Sequence, residues 1–267
     1  MSPSKIKNTI EVENIEVTYK LEEKKIHAVK DSSFNVTERK MLGIIGETGS
    51  GKSSLIRALN GLIKSPGIVK FNNLKILDEV GTQNEFNFNK LRGKNVGFIP
   101  QNPFGSLNPV YKISKQFNFI NKRHKIYDVK KMPDKINEAL IDVGINDPDR
   151  VKNSYSFELS GGMAQRVVIA LATFSKPRLL FADEPTTGLD VTVERQLLDN
   201  FFDFVKNKNM TLVLVTHDLG IVAQYCDEAL VMYKGEIVEK GSVNEIFKNP
   251  RDSYTQQLIK ASSEDIS

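Results

Sequence analysis

Cysteine is nearly absent from this sequence: Cys226 is the only one among 267 residues. One cysteine cannot form a disulfide within the chain or supply a cysteine-based metal site, so the composition favours a reducing compartment, and we expect the cytoplasm. Long apolar runs are also absent, because the longest, near residues 167–174, is far shorter than the ~20 residues of a membrane-spanning helix. The first residues lack the apolar core of a signal peptide. We therefore expect a chain that does not enter a membrane by itself.

Net charge is also small, since 37 Lys and Arg against 33 Asp and Glu give only +4. Such a balance falls short of a nucleic-acid-binding signature, and we expect no nucleic-acid partner. Hydrophobic content of 40% and charged content of 26% are ordinary for a globular chain, which excludes a disordered or fibrous protein. At ~150 residues per domain, the length allows one large domain or two small ones.

Two kinds of apolar run predict two kinds of strand. Short alternating runs separated by charged turns predict an antiparallel, partly exposed β-subdomain at the start of the chain. Compact apolar runs further on predict buried strands that pair in parallel, because they alternate with helical patterns. The alternating runs are 10–12, 15–19, 28–29 and 34–36, and the compact runs are 41–45, 96–99, 179–182 and 211–215.

The middle of the chain has a different character. Between residues 102 and 157 it is rich in Pro, Asn and Lys, with helical patches and no strong strand. This composition predicts an inserted helical lobe. We therefore expect a single domain over residues 1–267, with the lobe at approximately 102–158 and a short C-terminal tail at 245–267.

Residues 46–53 read Gly-Glu-Thr-Gly-Ser-Gly-Lys-Ser, which is the G-x-x-x-x-G-K-[ST] pattern of a phosphate-binding loop. Its context also fits, because a buried strand precedes it and a helical pattern follows. The glycines let the loop curl so that backbone N–H groups and the positive end of the helix face the phosphates. Lys52 is expected to reach the β- and γ-phosphates and Ser53 to hold Mg²⁺. The predicted nucleotide-binding residues here are Gly46, Glu47, Thr48, Gly49, Ser50, Gly51, Lys52, Ser53 and Ser54.

This loop alone does not separate kinases, GTPases, motors and transport ATPases. A second feature narrows the choice: Asp183 and Glu184 stand at the end of an apolar strand. Two carboxylates are costly there unless a cation and a proton transfer use them. Asp183 is expected to bind Mg²⁺ through its water shell and Glu184 to polarise the attacking water. An exposed strand end before a turn at Pro185 is the alternative, and the phosphate loop favours the catalytic interpretation.

Residues 159–166 read Leu-Ser-Gly-Gly-Met-Ala-Gln-Arg and open a helix. Ser160 fits an ordinary N-cap, and the apolar face of the helix is formed by Ala164, Val167, Val168 and Leu171. An N-cap explains the start of the helix but not the whole string. The Leu-Ser-Gly-Gly string, followed about twenty residues on by the Asp-Glu strand end, resembles the ATP-binding cassette (ABC) ATPases. The resemblance covers nearly the entire chain.

This resemblance implies an α/β fold: a P-loop NTPase core of the ABC ATPase type, with an N-terminal antiparallel β-subdomain and an inserted helical lobe. It implies ATP and Mg²⁺ as cofactors and a second ABC ATPase subunit, a paralogue or an identical chain. ATP is then sandwiched between the phosphate loop of one subunit and the signature of the other, formed here by Ser160, Gly161 and Gly162. A lone chain is therefore expected to hydrolyse ATP poorly.

The same resemblance assigns four further site residues. Tyr19 would stack on adenine, and Gln101 would contact Mg²⁺ and the attacking water while linking the core to the helical lobe. Asp190 would lie in the loop that crosses the dimer interface, and His217 would contact the γ-phosphate. Simpler roles stay open for three of them: packing for Tyr19, an exposed loop position for Gln101 and capping of a strand-to-helix turn for His217.

Four stretches are similar to the oligopeptide, dipeptide and nickel import ATPases of that family: 98–110, 158–167, 184–192 and 249–258. The sequence departs from this subgroup at residues 155–157, which read Tyr-Ser-Phe in place of Tyr-Pro-His. It departs again at 252–254, which read Asp-Ser-Tyr in place of His-Pro-Tyr. We also expect this chain to lack the cysteine-bearing C-terminal extension that many peptide-import members carry. Peptide, nickel and metal-chelate substrates therefore all stay open.

The expected function is the ATP-hydrolysing subunit of an ABC importer, powering uptake of peptides or nickel and other metal chelates. Its expected partners are integral membrane permease subunits and, indirectly, an extracytoplasmic substrate-binding protein. The expected location is the cytoplasmic face of the cell membrane. The lysine-rich segments 122–125 and 130–131 favour either an anionic membrane surface or a solvated helical face.

Three other classes compete with this function. One is a soluble ABC ATPase in DNA repair or translation, and another is a non-hydrolysing assembly subunit, which the intact Glu184 and His217 disfavour. The third is a GTP-binding switch, disfavoured because no Asn-Lys-x-Asp guanine motif occurs.

Overall fold

The computed structural model describes residues 7–20, 24–186 and 191–264. The chain divides into two compact units: unit 1 takes the residues up to 90 and from 211 onwards, and unit 2 takes residues 91–210. The strands are β1 (Asn8–Lys20), β2 (Lys25–Thr37), β3 (Met41–Ile45), β4 (Gly67–Lys70), β5 (Asn73–Ile76), β6 (Glu79–Gly81), β7 (Val96–Ile99), β8 (Leu179–Asp183), β9 (Thr211–Val215), β10 (Glu228–Tyr233) and β11 (Glu236–Ser242). The helices are α1 (Lys52–Leu59), α2 (Pro103–Ser106), α3 (Ile113–His124), α4 (Met132–Asp142), α5 (Pro148–Asn153), α6 (Gly161–Thr173), α7 (Val191–Asn207), α8 (Leu219–Tyr225), α9 (Val243–Lys248) and α10 (Ser253–Glu264).

The first sheet of unit 1 is antiparallel, as the alternating runs predict. β1 pairs with β2, β4 and β5, and β6 pairs with β5. The prediction of separate short runs divided by turns is wrong, because β1 and β2 are each continuous over 13 residues. The chain stays in the sheet by a register shift between Val12 and Ile15, where Asn14 takes a left-handed φ of 55°. A bulge of this kind absorbs the charged residues without ending the strand.

The second sheet of unit 1 carries the parallel strands. β3 lies between β10 and β9 and pairs in parallel with both, and β11 pairs antiparallel with β10. All five residues of β3 are buried, and so are all five of β9. Because parallel strands end at the same edge, the segments after β3 and β9 emerge side by side.

The last two helices belong to the core of unit 1. Val243, Phe247 and Leu258 pack against a buried cluster that includes Ile45 of β3 and Val231 of β10. Side chains from α9 and α10 therefore cover the strand that leads into the phosphate loop. The segment predicted as a tail at 245–267 contributes packing on its described residues.

Unit 2 combines a parallel strand pair with helices. β7 pairs in parallel with β8, with Ile99 opposite Ala182, and all five residues of β8 are buried. α6 buries Ala164, Val167 and Val168, as its periodicity predicts, whereas Leu171 of the predicted apolar face is only partly buried. Helices α2 to α5 fill the region predicted to be the helical lobe. The predicted limits of that lobe at 102–158, and a single domain over 1–267, stay predictions.

Membrane-spanning segments were not expected from the sequence. Among the residues that the structure describes, none of the helices combines the length and the apolar character that crossing a membrane requires.

Candidate functional site

The phosphate loop joins β3 to α1 and is shaped by glycines with left-handed backbone. Gly46 has φ 144° and Gly51 has φ 106°. A Cβ atom on Gly46 would lie 2.1 Å from the carbonyl oxygen of Met232, and one on Gly51 would lie 2.1 Å from that of Ala28. Only glycine fits at either position, because both the dihedral angle and the neighbouring backbone exclude a side chain. The curl of the loop is therefore fixed by strands β10 and β2.

The curl leaves the first turn of α1 open at its positive end. Gly51 is the N-cap residue, and glycine has no side chain to cap the helix. A Cβ on Gly49 would meet no atom within 4 Å among the described residues, so the loop faces open space there. Backbone N–H groups and a helix N-terminus without a capping side chain fit a phosphate group. The exposed part of the loop comprises Glu47, Thr48 and Gly49.

Lys52 is nearly buried, with 5% exposure, and its ammonium group lies over the loop. Its Nζ donates hydrogen bonds to the carbonyl oxygens of Gly46 at 2.7 Å and Glu47 at 2.8 Å. Ser50 Oγ is buried without a hydrogen-bond partner in the described part of the chain. A buried cation held by neutral carbonyls, beside an unsatisfied hydroxyl, is a donor set that suits an anion.

Tyr19 lies next to this loop, as predicted. Its hydroxyl oxygen is 3.3 Å from Oγ of Ser54 in the first turn of α1, and its side chain is half-buried. The ring also packs over Gly67, where a Cβ would lie 2.9 Å from the ring. The structure thus brings Tyr19 and Ser54 together and leaves part of the aromatic ring accessible.

His217 follows β9 and is exposed. The backbone N–H of Thr216 donates to the carbonyl oxygen of Ile44 at 3.3 Å, which ties this turn to the end of β3. Asp218 caps α8 by accepting a hydrogen bond from the N–H of Ile221 at 3.1 Å. The capping residue is therefore Asp218, and His217 stands on the sheet edge from which the phosphate loop also emerges.

The carboxylates of unit 2 stand at the ends of paired strands. Asp183 is fully buried, and Glu184 follows it with a left-handed φ of 46°. Gln101 lies two residues beyond β7, and its Nε2 donates a hydrogen bond to Oε2 of Glu184 at 2.8 Å. The parallel pairing of β7 and β8 explains this meeting, because both strands end at one edge. A left-handed glutamate costs about 1 kcal/mol or more, a strain typical of functional sites.

The predicted signature begins α6 of unit 2. Ser160 is the N-cap, and its side chain accepts a hydrogen bond from the N–H of Met163 at 3.4 Å. Gly161 and Gly162 form the first turn and are partly exposed. The capping role is thus present, and it leaves the glycine N–H groups at an accessible helix N-terminus. The further predicted residue Asp190 lies outside the described residues.

One contact with the phosphate loop was missed from the sequence. The backbone N–H of Glu47 donates a hydrogen bond to the hydroxyl oxygen of Tyr254, in α10, at 2.9 Å. The two residues are 207 positions apart, so no local pattern links them. The similarity of residues 249–258 to import ATPases pointed to this segment, but it did not predict a role for Tyr254.

Comparisons with known proteins identify relatives of this chain. Oligopeptide transport ATP-binding protein OppD of Lactococcus lactis subsp. cremoris (strain SK11) is 40% identical over 257 residues, which cover 95% of this chain and 75% of the relative. Dipeptide transport ATP-binding protein DppD of Haemophilus influenzae is 39% identical over 253 residues, which cover 94% of this chain and 77% of the relative.

A solved structure is also similar: the dimeric ATP-binding cassette MJ0796 in a post-hydrolysis state bound to ADP and Pi. It superposes with a TM-score of 0.72 at 26% identity, covering 88% of this chain and 98% of that chain. The predicted α/β fold of an ABC ATPase core is confirmed by this likeness. A sequence model described as ABC transporter matches residues 29–187. The predicted family is therefore confirmed, and the chain belongs to the ABC transporter family.

Proposed function

We propose that this protein is the ATP-binding and ATP-hydrolysing subunit of an ABC importer that takes up peptides. The observation that carries the proposal is the structure of the phosphate loop. Neighbouring backbone atoms leave no room for a Cβ atom at Gly46 or Gly51, and the nearly buried Lys52 donates hydrogen bonds to the carbonyl oxygens of the loop. The relatives above are named for oligopeptide and dipeptide transport, which favours an importer over a role in DNA repair or translation. Peptide is accordingly the proposed substrate class, and nickel or a metal chelate stays an untested prediction.

Nucleotide binding falls to unit 1. The ammonium group of Lys52 exchanges its carbonyl partners for the β- and γ-phosphate oxygens, while the loop N–H groups donate to the same phosphates. Tyr19 offers its accessible ring to the adenine, at the position next to Ser54 that the 3.3 Å contact defines. His217 reaches the γ-phosphate from the neighbouring strand end.

Hydrolysis falls to Glu184. Its carboxylate polarises the attacking water and accepts a proton as the water oxygen bonds to the γ-phosphorus, while the bond from the γ-phosphorus to the β–γ bridging oxygen breaks and ADP leaves. The amide of Gln101 holds this carboxylate in place, at 2.8 Å, and keeps its own oxygen available to the water or to a hydrated cation. Ser53, Gln101 and Asp183 are the residues that would hold Mg²⁺, and the ion would supply positive charge beside the phosphate oxygens.

Hydrolysis also requires a second ABC ATPase subunit, which is a paralogue or an identical chain. The N-terminus of α6 would face the γ-phosphate bound to the partner, with Ser160, Gly161 and Gly162 supplying the donors. Asp190 would contribute at the same interface. ATP then joins the two subunits, and its hydrolysis releases them.

The permease contact is proposed for an exposed groove on unit 2 of about 350 Å³. Val110 lines this groove and is 73% exposed. Phe157 is 69% exposed and stacks on the groove residue Tyr155, with 5.5 Å between the ring centroids. Large apolar side chains exposed together mark protein interaction sites. We assign a cytoplasmic loop of the permease to this groove, which keeps the subunit on the cytoplasmic face of the membrane. An extracytoplasmic binding protein would then deliver the peptide to the permease. The groove residues are Val110, Tyr111, Lys112, Ser114, Lys115, Asn118 and Tyr155.

Co-purification with the permease tests this assignment. Phe157→Asp places a charge in the proposed interface, so we expect recovery of the complex to fall at least about tenfold, since a desolvated charge costs more than 1.4 kcal/mol. ATP binding by the isolated subunit should not change. Val129→Asp is the matched control, because Val129 is 79% exposed on unit 2 but lies outside the groove. Equal recovery of Phe157→Asp and wild type would contradict the proposed contact.

A further inference from the structure

We propose that Tyr254 is a positioning residue for the phosphate loop: through its hydroxyl, helix α10 holds the loop in the conformation that binds nucleotide. The inference rests on the proposed function, because it assumes that this loop binds ATP. It adds that the conformation of the loop depends on a residue far from it in sequence. The contact that carries it is the hydrogen bond from the N–H of Glu47 to the Tyr254 hydroxyl oxygen, at 2.9 Å.

Glu47, the residue bound by Tyr254, also makes hydrogen bonds within the loop. The carbonyl oxygen of Glu47 accepts hydrogen bonds from Nζ of Lys52 at 2.8 Å and from the N–H of Ser50 at 3.1 Å. The N–H of this residue is bound by Tyr254 and its carbonyl by the lysine that should reach the phosphates. A shift of the Glu47 backbone therefore moves an acceptor of Lys52. Tyr254 thus acts on the nucleotide through the loop and without touching it.

The ring of Tyr254 is fixed in place. It stacks on Tyr233 with 4.1 Å between the ring centroids and an interplanar angle of 25°. Burial raises the pKa of the Tyr254 hydroxyl above its usual range, so the group stays neutral at physiological pH. A fixed neutral hydroxyl is a suitable acceptor for one backbone N–H group.

The start of α10 is itself anchored to unit 1. The carboxylate of Glu239, in β11, accepts hydrogen bonds from the N–H groups of Arg251 at 2.9 Å and Asp252 at 3.1 Å. Asp252 in turn accepts from the N–H groups of Tyr254 at 2.9 Å and Thr255 at 3.2 Å. A continuous set of hydrogen bonds therefore runs from β11 through the cap of α10 to the loop. The aspartate that departs from the His-Pro-Tyr pattern has a structural role, because it caps this helix.

The ring and the hydroxyl of Tyr254 contribute separately. The ring packs against the hydrophobic cluster of unit 1, so its removal would destabilise the fold. The hydroxyl alone carries the bond to Glu47. Tyr254→Phe deletes that bond and keeps the ring, and Tyr233→Phe makes the same chemical change on the stacked partner, whose hydroxyl contacts Lys234.

The experiment compares wild type, Tyr254→Phe and Tyr233→Phe as full chains. Affinity for a fluorescent ATP analogue should fall about three- to tenfold in Tyr254→Phe, a loss of about 0.7–1.4 kcal/mol, which is the size of one net hydrogen bond. Tyr233→Phe should bind within about twofold of wild type. Without nucleotide, both variants should melt within a few degrees of wild type. In the permease complex, Tyr254→Phe should raise the KM for ATP and leave kcat nearly unchanged.

Two results would overturn the inference: Tyr254→Phe binding ATP as wild type does, or an equal loss of affinity in Tyr233→Phe, which would assign the effect to ring packing. A Tyr254→Phe variant that melts many degrees lower would also overturn it, because the hydroxyl would then support the fold. Failure of the proposed function gives a different pattern, in which wild type itself binds no ATP. The two failures are therefore distinguishable.

Discussion

The phosphate loop of unit 1 and the Asp183–Glu184 segment of unit 2 have the same local backbone arrangement. A fully buried five-residue parallel strand, β3 or β8, is followed directly by a residue with left-handed backbone. The residue is Gly46 in the first case and Glu184 in the second. In unit 1 the backbone supplies the binding groups, so glycine is required. In unit 2 the proposed chemistry belongs to the side chain of Glu184, and the left-handed position is occupied by this glutamate instead of a glycine.

This difference indicates that affinity and turnover are separable. In the proposed mechanism, backbone N–H groups and Lys52 hold phosphate charge before any reaction. The proposed role of the Glu184–Gln101 pair begins when water attacks, so the pair should contribute to the transition state more than to binding. Changes to the phosphate loop should therefore lower affinity, and changes to the Glu184–Gln101 pair should lower turnover at constant affinity.

Lys52→Ala should have the largest effect on ATP binding. It removes a nearly buried cation that the phosphates would otherwise pair with, so ATP affinity should fall at least about 100-fold, equivalent to two charge-assisted hydrogen bonds. Isothermal titration with ATP measures the loss. Lys64→Ala, an equal change of charge at an exposed site of unit 1, should bind ATP as wild type does. Wild-type ATP affinity in Lys52→Ala would contradict the assignment of residues 46–53 as the phosphate loop.

Two glycine substitutions sharpen the claim that backbone shape defines unit 1. Gly51→Ala should lose about 3 kcal/mol of unfolding free energy, because its Cβ would lie 2.1 Å from the carbonyl oxygen of Ala28 at a left-handed φ. Gly49→Ala has a left-handed φ but no neighbouring atom within 4 Å in the described residues, and it should lose only about 1 kcal/mol. Urea unfolding without nucleotide measures both. Equal losses would show that the neighbouring strand does not shape the loop.

The strands that build the site could be predicted from the sequence, because buried parallel strands are compact apolar runs. Residues 41–45, 96–99, 179–182 and 211–215 all lie in strands of the structure. The continuity of the two long strands β1 and β2 could not be predicted, because Asn14 and Asp31 are typical turn residues. In the structure they lie in bulges with positive φ. A bulge is set by its strand partner, which a local pattern does not contain.

Contacts between distant segments limited the prediction of the site. Gln101 and Glu184 were each predicted, from a family resemblance and from a strand end, but their direct hydrogen bond depends on the pairing of β7 with β8. Tyr254 was assigned no role for the same reason, as its contact with Glu47 requires the packing of α10 against unit 1. The roles assigned to the site residues remain predictions.

The most direct test is Glu184→Gln, measured for ATP affinity and for turnover in the permease complex. The change keeps the shape of the side chain and an acceptor for Gln101 but removes the base. We predict ATP affinity within about threefold of wild type, turnover lowered at least about 100-fold and a trapped ATP-bound dimer. Glu138→Gln, an isosteric change at an exposed residue of unit 2, should behave as wild type. Wild-type turnover in Glu184→Gln, or loss of ATP affinity, would contradict the separation of binding from hydrolysis.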